Sequence, residues 1–369
     1  MNNKEMTLNS ERWNYIDLME FFALFFVIMY HATLYNYNFL SDNKTIYYIR
    51  YFTRAIMSTC VPLFFFCNGY LLFNRPFDLQ KHIIKTIKII LLTALWGIIG
   101  LIIFSVYTHT SLNLHDFIYN LITLNPLGWI NHLWFMGILV LLYIFAPLLV
   151  KIFKSSVKNF SILLFIFFII GFGIKAVGYT IYAIGIANNQ NMPEIMQFAE
   201  HNIFRMTQFY AFPYFTLGGI VFHCKNAILK IKPLYRNLVS VLLIIANCCM
   251  LYLMAVFFTN HTATAEPWDI VWCGYDTVFT LLNVCCIFVL SLNYNHKFKL
   301  IKSISINTLG IFFIHNIVIR ITIDKFVCHA FFQTLIGNII YVLFVMLLSL
   351  IIVFLLGKIP ILRKTISLR

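Results

Sequence analysis

The sequence predicts an all-α, polytopic integral membrane protein of about ten transmembrane helices with cytoplasmic N- and C-termini, and three observations predict it. The first is composition: of 369 residues, 61% are hydrophobic, 18% aromatic and only 11% charged, with a mean hydropathy of +0.84. Soluble folds carry roughly a quarter charged residues, so a water-soluble chain of this kind would lack polar atoms to cover its surface. This excludes a soluble enzyme, a disordered tail and a secreted disulfide scaffold. The second observation is segmentation into apolar runs of spanning length, and the third is the alternation of basic residues between those runs. The net charge of +14 does not indicate nucleic acid, because the Lys and Arg residues form short clusters between apolar runs and not one basic face.

Cutting the chain at its polar clusters leaves ten runs, at about 14–35, 55–74, 86–107, 132–150, 160–186, 207–223, 237–258, 270–292, 304–324 and 331–357. Each approaches the ~20 residues that cross a ~30 Å hydrocarbon core. The first run is too long for a cleaved signal peptide and is read as a retained span. With the N-terminus inside, twenty Lys and Arg residues fall in cytoplasmic segments and five in outer ones (Lys44, Arg50, Arg54, Arg205 and Lys325), with Lys175 and Arg320 inside spans. That bias alternates at every loop, as orientation by positive charge requires, and an odd number of spans would break it. The outer segments 108–131 and 187–206 are the long ones, and Trp129, Trp134, Trp268 and Trp272 fall near outer boundaries, where amphipathic rings favour the headgroup layer. No repeat or low-complexity tract interrupts the pattern, so residues 1–369 are expected to form a single membrane domain in the cell membrane.

The nine cysteines lack metal-like Cys-x-x-Cys spacing and lie mostly within apolar runs, as packing thiols do. One bridge, Cys273 to Cys328, is open on the outer side. His109, His115, His201 and His261 lie in outer loops without carboxylates or cysteines at metal spacing, and no metal site is expected.

Ionisable groups inside a span are costly and therefore mark function. The first run carries Asp17, Glu20 and His31. Eleven steps of 100° from Glu20 to His31 make three turns plus about 20°, so both side chains share a face, about 16 Å apart along the axis. Asp17 lies on the same face. Such a stripe either lines a cavity or packs against polar groups of neighbouring helices. Histidine can take up a hydroxyl proton and later return it. In the second run, Pro62 removes a backbone hydrogen bond, Gly69 permits close approach of a helix or ligand, and the Asn68 amide needs a partner. Arg320 and Asp324, four apart, are expected to pair, while Lys175 is isolated and unassigned.

Taken together, these stretches resemble the acyltransferase-3 family of integral membrane acyltransferases. The resemblance is carried by Tyr15-Ile16-Asp17-Leu18 through His31-Ala32, and by Val61-Pro62-Leu63-Phe64-Phe65-Phe66-Cys67-Asn68-Gly69-Tyr70-Leu71. It continues in His132-Leu133-Trp134-Phe135-Met136 with Tyr143 and Pro147, and in Leu309-Gly310-Ile311-Phe312-Phe313-Ile314-His315. The order is right and ten spans suit the family. Two positions depart: where the family has Arg with ten residues between it and the histidine, this chain has Glu20, and the family's Arg-x-x-Arg appears as Lys85-Thr86-Ile87-Lys88. The second change keeps positive charge and loses the bidentate fork.

The resemblance implies a transferase with no permanently bound cofactor. Its donor would be cytoplasmic acyl-CoA, acetyl being the commonest group, and its acceptor a hydroxyl of a surface polysaccharide or lipid-linked glycan. His31 is then the general base or a transient acyl carrier. Glu20 and His315 join it, Glu20 pairing with a base such as Lys85 or Lys88, and His315, about 16 Å deep in its span, facing the oxyanion or positioning a group. Lys85, Lys88 and Asn68 would hold the donor. Asp17, His132 and Trp134 would meet the acceptor, although Trp134 also fits a membrane belt. Asn316 is placed on a face away from His315. The competing function is a glycan exporter or flippase without acyl transfer.

Overall fold

A computed structural model describes residues 13–32, 34–35, 44–123, 129–188, 208–261, 274–296 and 298–366. Trp268, Trp272, Cys273, Arg205, His201 and most of the outer segment 187–206 lie outside the described residues. Among the described residues, every regular element is helical. The α-helices are α1 (Asn14–His31), α2 (Lys44–Met57), α3 (Cys60–Phe73), α4 (Leu79–Thr108), α5 (Leu114–Thr123), α6 (Trp134–Ser155), α7 (Val157–Phe168) and α8 (Ile174–Ala187). They continue as α9 (Ala211–Lys230), α10 (Pro233–His261), α11 (Val278–Ser291), α12 (Lys299–Ile306), α13 (Thr308–Val327), α14 (Leu335–Lys358) and α15 (Pro360–Ile366).

Within the described residues, the ten apolar runs fall mainly on helices. By length and apolarity, six stretches among the described residues can cross a membrane: Ile49–Phe73, Leu79–Thr108, Asn131–Ser155, Val157–Gly185, Pro233–Phe257 and Leu335–Lys358. A seventh is the pair α12 and α13, bent by 84°. The run read as one span over 304–324 is therefore broken, and the break falls at Asn307. The Asn307 amide donates to the Ser303 carbonyl at 2.8 Å, competing locally with helix continuation as Asn does.

Sequence explains the helix ends. Ser156 and Thr277 cap α7 and α11 by accepting from the backbone N–H groups of Asn159 and Thr280, both at 3.2 Å. Thr334 does the same for α14 from Gly337 at 3.1 Å, and Asp78 for α4 from Lys81 at 3.0 Å. Each satisfies an orphan first-turn donor. At the other end of α4, His109 adopts a left-handed φ of 54° and returns its N–H to the Ser105 carbonyl. Between α2 and α3 the helix breaks at Ser58-Thr59. Pro62 has no N–H to offer the Ser58 carbonyl, so the interruption falls one turn before the proline, as expected for Pro62. Once α3 begins, Pro62 sits in its first turn, where a missing donor is harmless.

The chain forms two compact units. One comprises Met1–Met19, Tyr37–Pro76 and Leu148–His296; the other comprises Glu20–Asn36, Phe77–Pro147 and Lys297–Arg369. In the first, α3 and α9 pack backbone to backbone. A Cβ on Gly69 would stand 1.8 Å from the Phe215 carbonyl oxygen, and one on Gly218 would stand 2.2 Å from that of Phe66. Small residues at a crossing replace the hydrophobic drive that lipid does not supply, and Gly69 here admits a helix. A second centre has Tyr51 donating to the Leu251 carbonyl at 2.6 Å. The run 160–186 contains a π-helical turn, Ile169–Gly173, between α7 and α8.

Lys175, unassigned from sequence, forms an ion pair with Asp276. Asp276 is 4% exposed, so its charge requires a partner. Lys175→Met is expected to lower stability by about 2 kcal/mol, below the full cost of breaking a buried pair because the lysine side chain is 44% exposed. Thermal unfolding in detergent with Lys175→Met and Lys175→Arg checks this; equal loss in both would show that charge is not what matters. Conversely, Arg320 and Asp324 do not pair. Both are exposed, and i, i+4 spacing permits contact without enforcing it.

The second unit holds α4, α5, most of α6 and α12 to α15. Trp96 of α4 stacks on Phe313 with ring centroids 5.7 Å apart and donates to the Thr365 carbonyl at 2.7 Å. The Cβ that Gly310 lacks would lie 2.9 Å from Val353, so α13 sits close on α14. Cys328 is a free, exposed thiol donating to the Asp324 carbonyl at 3.3 Å.

Candidate functional site

Three chain segments of the second unit converge on one point. α1 ends at His31, with Ala32 closing the last turn onto the Ile28 carbonyl at 2.8 Å. The 3-10 turn Asn131–Leu133 places His132 just before α6. In α13, His315 lies seven residues beyond Thr308, about 11 Å along the axis. That replaces the depth of about 16 Å expected for an unbroken span. The ring centroids lie 5.5 Å apart for His31 and His315, 6.2 Å for His31 and His132, and 5.1 Å for His132 and His315.

The rings differ in access. His31 keeps partial exposure, whereas His132 and His315 are 4% and 0% exposed. The Nδ1 atom of His315 donates to the Phe312 carbonyl at 2.7 Å, and that of His132 lies 3.2 Å from the Asn316 amide nitrogen. The Nε2 atoms of both rings are buried and make no well-aligned hydrogen bond. Phe312 closes one side, 5.3 Å from His132 and 5.7 Å from His315 by ring centroids. Asn316, which also donates to the Trp129 carbonyl at 3.0 Å, therefore belongs to this cluster. Its separation from His315 by 100° of helix was the reason to set it apart. A helix packed on several sides has polar neighbours in more than one direction, and Asn316 meets His132 in one of them. The signal available in sequence was an amide inside an apolar run.

Among the other predicted residues, Glu20 is half-buried and accepts a hydrogen bond from the Ser305 hydroxyl of α12. Lys85 donates to the Tyr143 hydroxyl at 3.1 Å and lies 5.0 Å above that ring. His82 Nε2, one turn earlier, meets the Tyr143 backbone carbonyl at 2.8 Å. Tyr143 thus organises the basic start of α4, a role that motif reading did not give it. Lys88 is exposed and Trp134 half-buried. Asp17 and Asn68 fall in the first unit; Asp17 is 4% exposed, and Asn68 donates to the Phe64 carbonyl at 2.9 Å. Among the described residues, no group of three His, Cys, Asp or Glu is arranged to hold a metal ion.

Chemically, the cluster gathers three imidazoles, one partly exposed and two buried, in an apolar surround. Imidazole serves as proton acceptor, proton donor or nucleophile, and all three functions suit acyl transfer. No curated protein and no solved structure matches the chain. The family model described as "Acyltransferase domain" matches residues 13–358, running through both units and through every stretch named above. With its apolar helices of spanning length, the chain is a multi-pass membrane protein that belongs to the acyltransferase-3 family of acyltransferases.

Proposed function

We propose that the protein moves an acyl group, acetyl in the first instance, from cytoplasmic acyl-CoA to a hydroxyl of a surface polysaccharide or lipid-linked glycan precursor at the cell membrane. The observation that carries this reading is the cluster of His31, His132 and His315, the partly exposed ring beside two buried ones. The basic residues support ten crossings with both termini in the cytoplasm, which sets His31 at the outward end of α1. Lys85 and Lys88, on the first turns of α4, face the inner side and attract the phosphates of the donor. Tyr143 fixes the direction of Lys85. His31 is the base for the acceptor hydroxyl or carries the acyl group in two steps. Trp134 and His132 stand at the acceptor side. Glu20 orients α12 through Ser305 and does not replace the phosphate-binding Arg of the family.

The test is radiolabelled acetyl-CoA supplied to inside-out vesicles that contain the protein and its host glycan. Covalent label in glycan supports the reading. Glycan crossing the membrane without label would replace it with an exporter.

A further inference from the structure

Two hydrogen bonds fix the tautomers of the buried histidines in opposite senses. The Nδ1 atom of His315 lies 2.7 Å from the Phe312 carbonyl oxygen and 3.3 Å from that of Ile311. A carbonyl only accepts, so Nδ1 carries the hydrogen and Nε2 of the neutral ring holds a lone pair. His132 is the reverse case. Asn316 Nδ2 lies 3.0 Å from the Trp129 carbonyl oxygen, which fixes the amide orientation, and the same nitrogen lies 3.2 Å from His132 Nδ1. That Nδ1 therefore accepts, and the ring hydrogen sits on Nε2. One ring thus offers a buried acceptor and the other a buried donor, on centroids 5.1 Å apart; neither nitrogen makes a well-aligned hydrogen bond, and the Phe312 carbonyl lies beside the His132 ring. Unpaired buried polar atoms are costly and mark a place where a ligand supplies the missing half.

We propose that His315 Nε2 is the general base, that His132 Nε2–H is the oxyanion donor, and that Asn316 is the positioning residue that holds His132 in the donating tautomer. This rests on the acyl-transfer reading and reverses the expectation that His315 faces the oxyanion. In the transfer step the acceptor O–H bond breaks as its oxygen bonds to the acyl carbon. The proton passes to His315 Nε2, and the carbonyl electron pair moves onto the oxygen that His132 Nε2–H meets. When the tetrahedral species collapses, the bond from the acyl carbon to its leaving group breaks with its electron pair, and His315 returns the proton to that group. The leaving group is the thioester sulfur, or the His31 nitrogen when His31 is the carrier. With the base supplied by His315, the partly exposed His31 is free for the carrier role: its lone-pair nitrogen bonds to the acyl carbon as the C–S bond breaks with its electron pair, and the proton of its other ring nitrogen passes to the departing thiolate.

A glutamine amide can place an N–H near the position of an imidazole Nε2–H but cannot take up a proton. His132→Gln is therefore expected to keep kcat within about tenfold of wild type, whereas His315→Gln loses roughly a thousandfold, the scale of a general base. Asn316→Asp turns the amide into an acceptor, draws the His132 hydrogen to Nδ1 and lowers kcat roughly a hundredfold with KM unchanged, the scale of a lost oxyanion donor. Selective 15N labelling of histidine in bilayers reads both tautomers directly and does not depend on turnover. Equal loss in the two glutamine variants, a larger loss in His132→Gln, or the same tautomer in both rings overturns the assignment while leaving an active wild type and the acyl-transfer reading intact. A wild-type protein that transfers no label removes that reading and this assignment together.

Discussion

His31→Ala is expected to lower acyl transfer by roughly a thousandfold or more, the contribution of a positioned base or nucleophile, while membrane insertion and helix content stay at wild-type levels. The expectation follows from where the ring sits. His31 is the last residue of α1, so its loss leaves no gap inside a helix. It is the partly exposed member of the cluster, while His132 and His315 are buried. Label transfer from acyl-CoA to glycan, measured beside circular dichroism and an insertion assay, checks it. Retained transfer would refute both roles given to His31. The two roles separate when acceptor is withheld: the carrier role, which follows when His315 supplies the base, leaves labelled protein that disappears in His31→Ala, whereas no label would return the base role to His31 and count against the assignment to His315.

Gly69→Ala is expected to have the largest effect on stability. Its methyl would stand 1.8 Å from the Phe215 carbonyl oxygen, a backbone atom that cannot rotate away. α3 and α9 must then separate along the whole crossing, and overpacking of that kind costs about 3 kcal/mol or more. A loss of that size lowers the apparent melting midpoint by roughly 4 °C in a chain of this length. Gly218→Ala, whose methyl would meet the Phe66 carbonyl oxygen at 2.2 Å, is expected to behave similarly. Gly137, with nothing within 4 Å of its missing Cβ, is the control, and Gly137→Ala should leave the midpoint unchanged. Chromatography of heated, detergent-solubilised protein compares the three; a Gly69→Ala midpoint equal to that of Gly137→Ala would mean the crossing is not close-packed.

Much of the helical plan was legible because the determinants are local. Apolar runs, caps such as Ser156 and Thr334, and the proline that interrupts the helix at Ser58-Thr59 act through nearest neighbours along the chain. Where local signals were ambiguous the reading slipped. Asn307 reads as one polar residue in an apolar run, yet it ends α12 and turns the chain by 84°, which brought His315 nearer to the start of its helix. The π-helical turn at Ile169–Gly173 leaves a run of spanning length intact and so left no mark on the hydropathy. Arg320 and Asp324 have the spacing of a pair, but spacing permits contact without enforcing it.

What the amino-acid sequence determined by itself is the solvent the chain requires, its helical class, the family motifs and the helix that carries His31. These depend on composition and on periods of a few residues. Tertiary packing decided which polar groups meet: His132 and His315 beside His31, Asn316 on His132, Lys85 on Tyr143, and Lys175 on Asp276. The physical reason is sequence separation. Each of these contacts joins residues dozens to hundreds of positions apart, and nothing in the local chain records which face of one helix packs against another. Hydrogen-bond direction lies one step further still. That His315 presents a lone pair and His132 a hydrogen follows only from the carbonyl and amide set beside each ring.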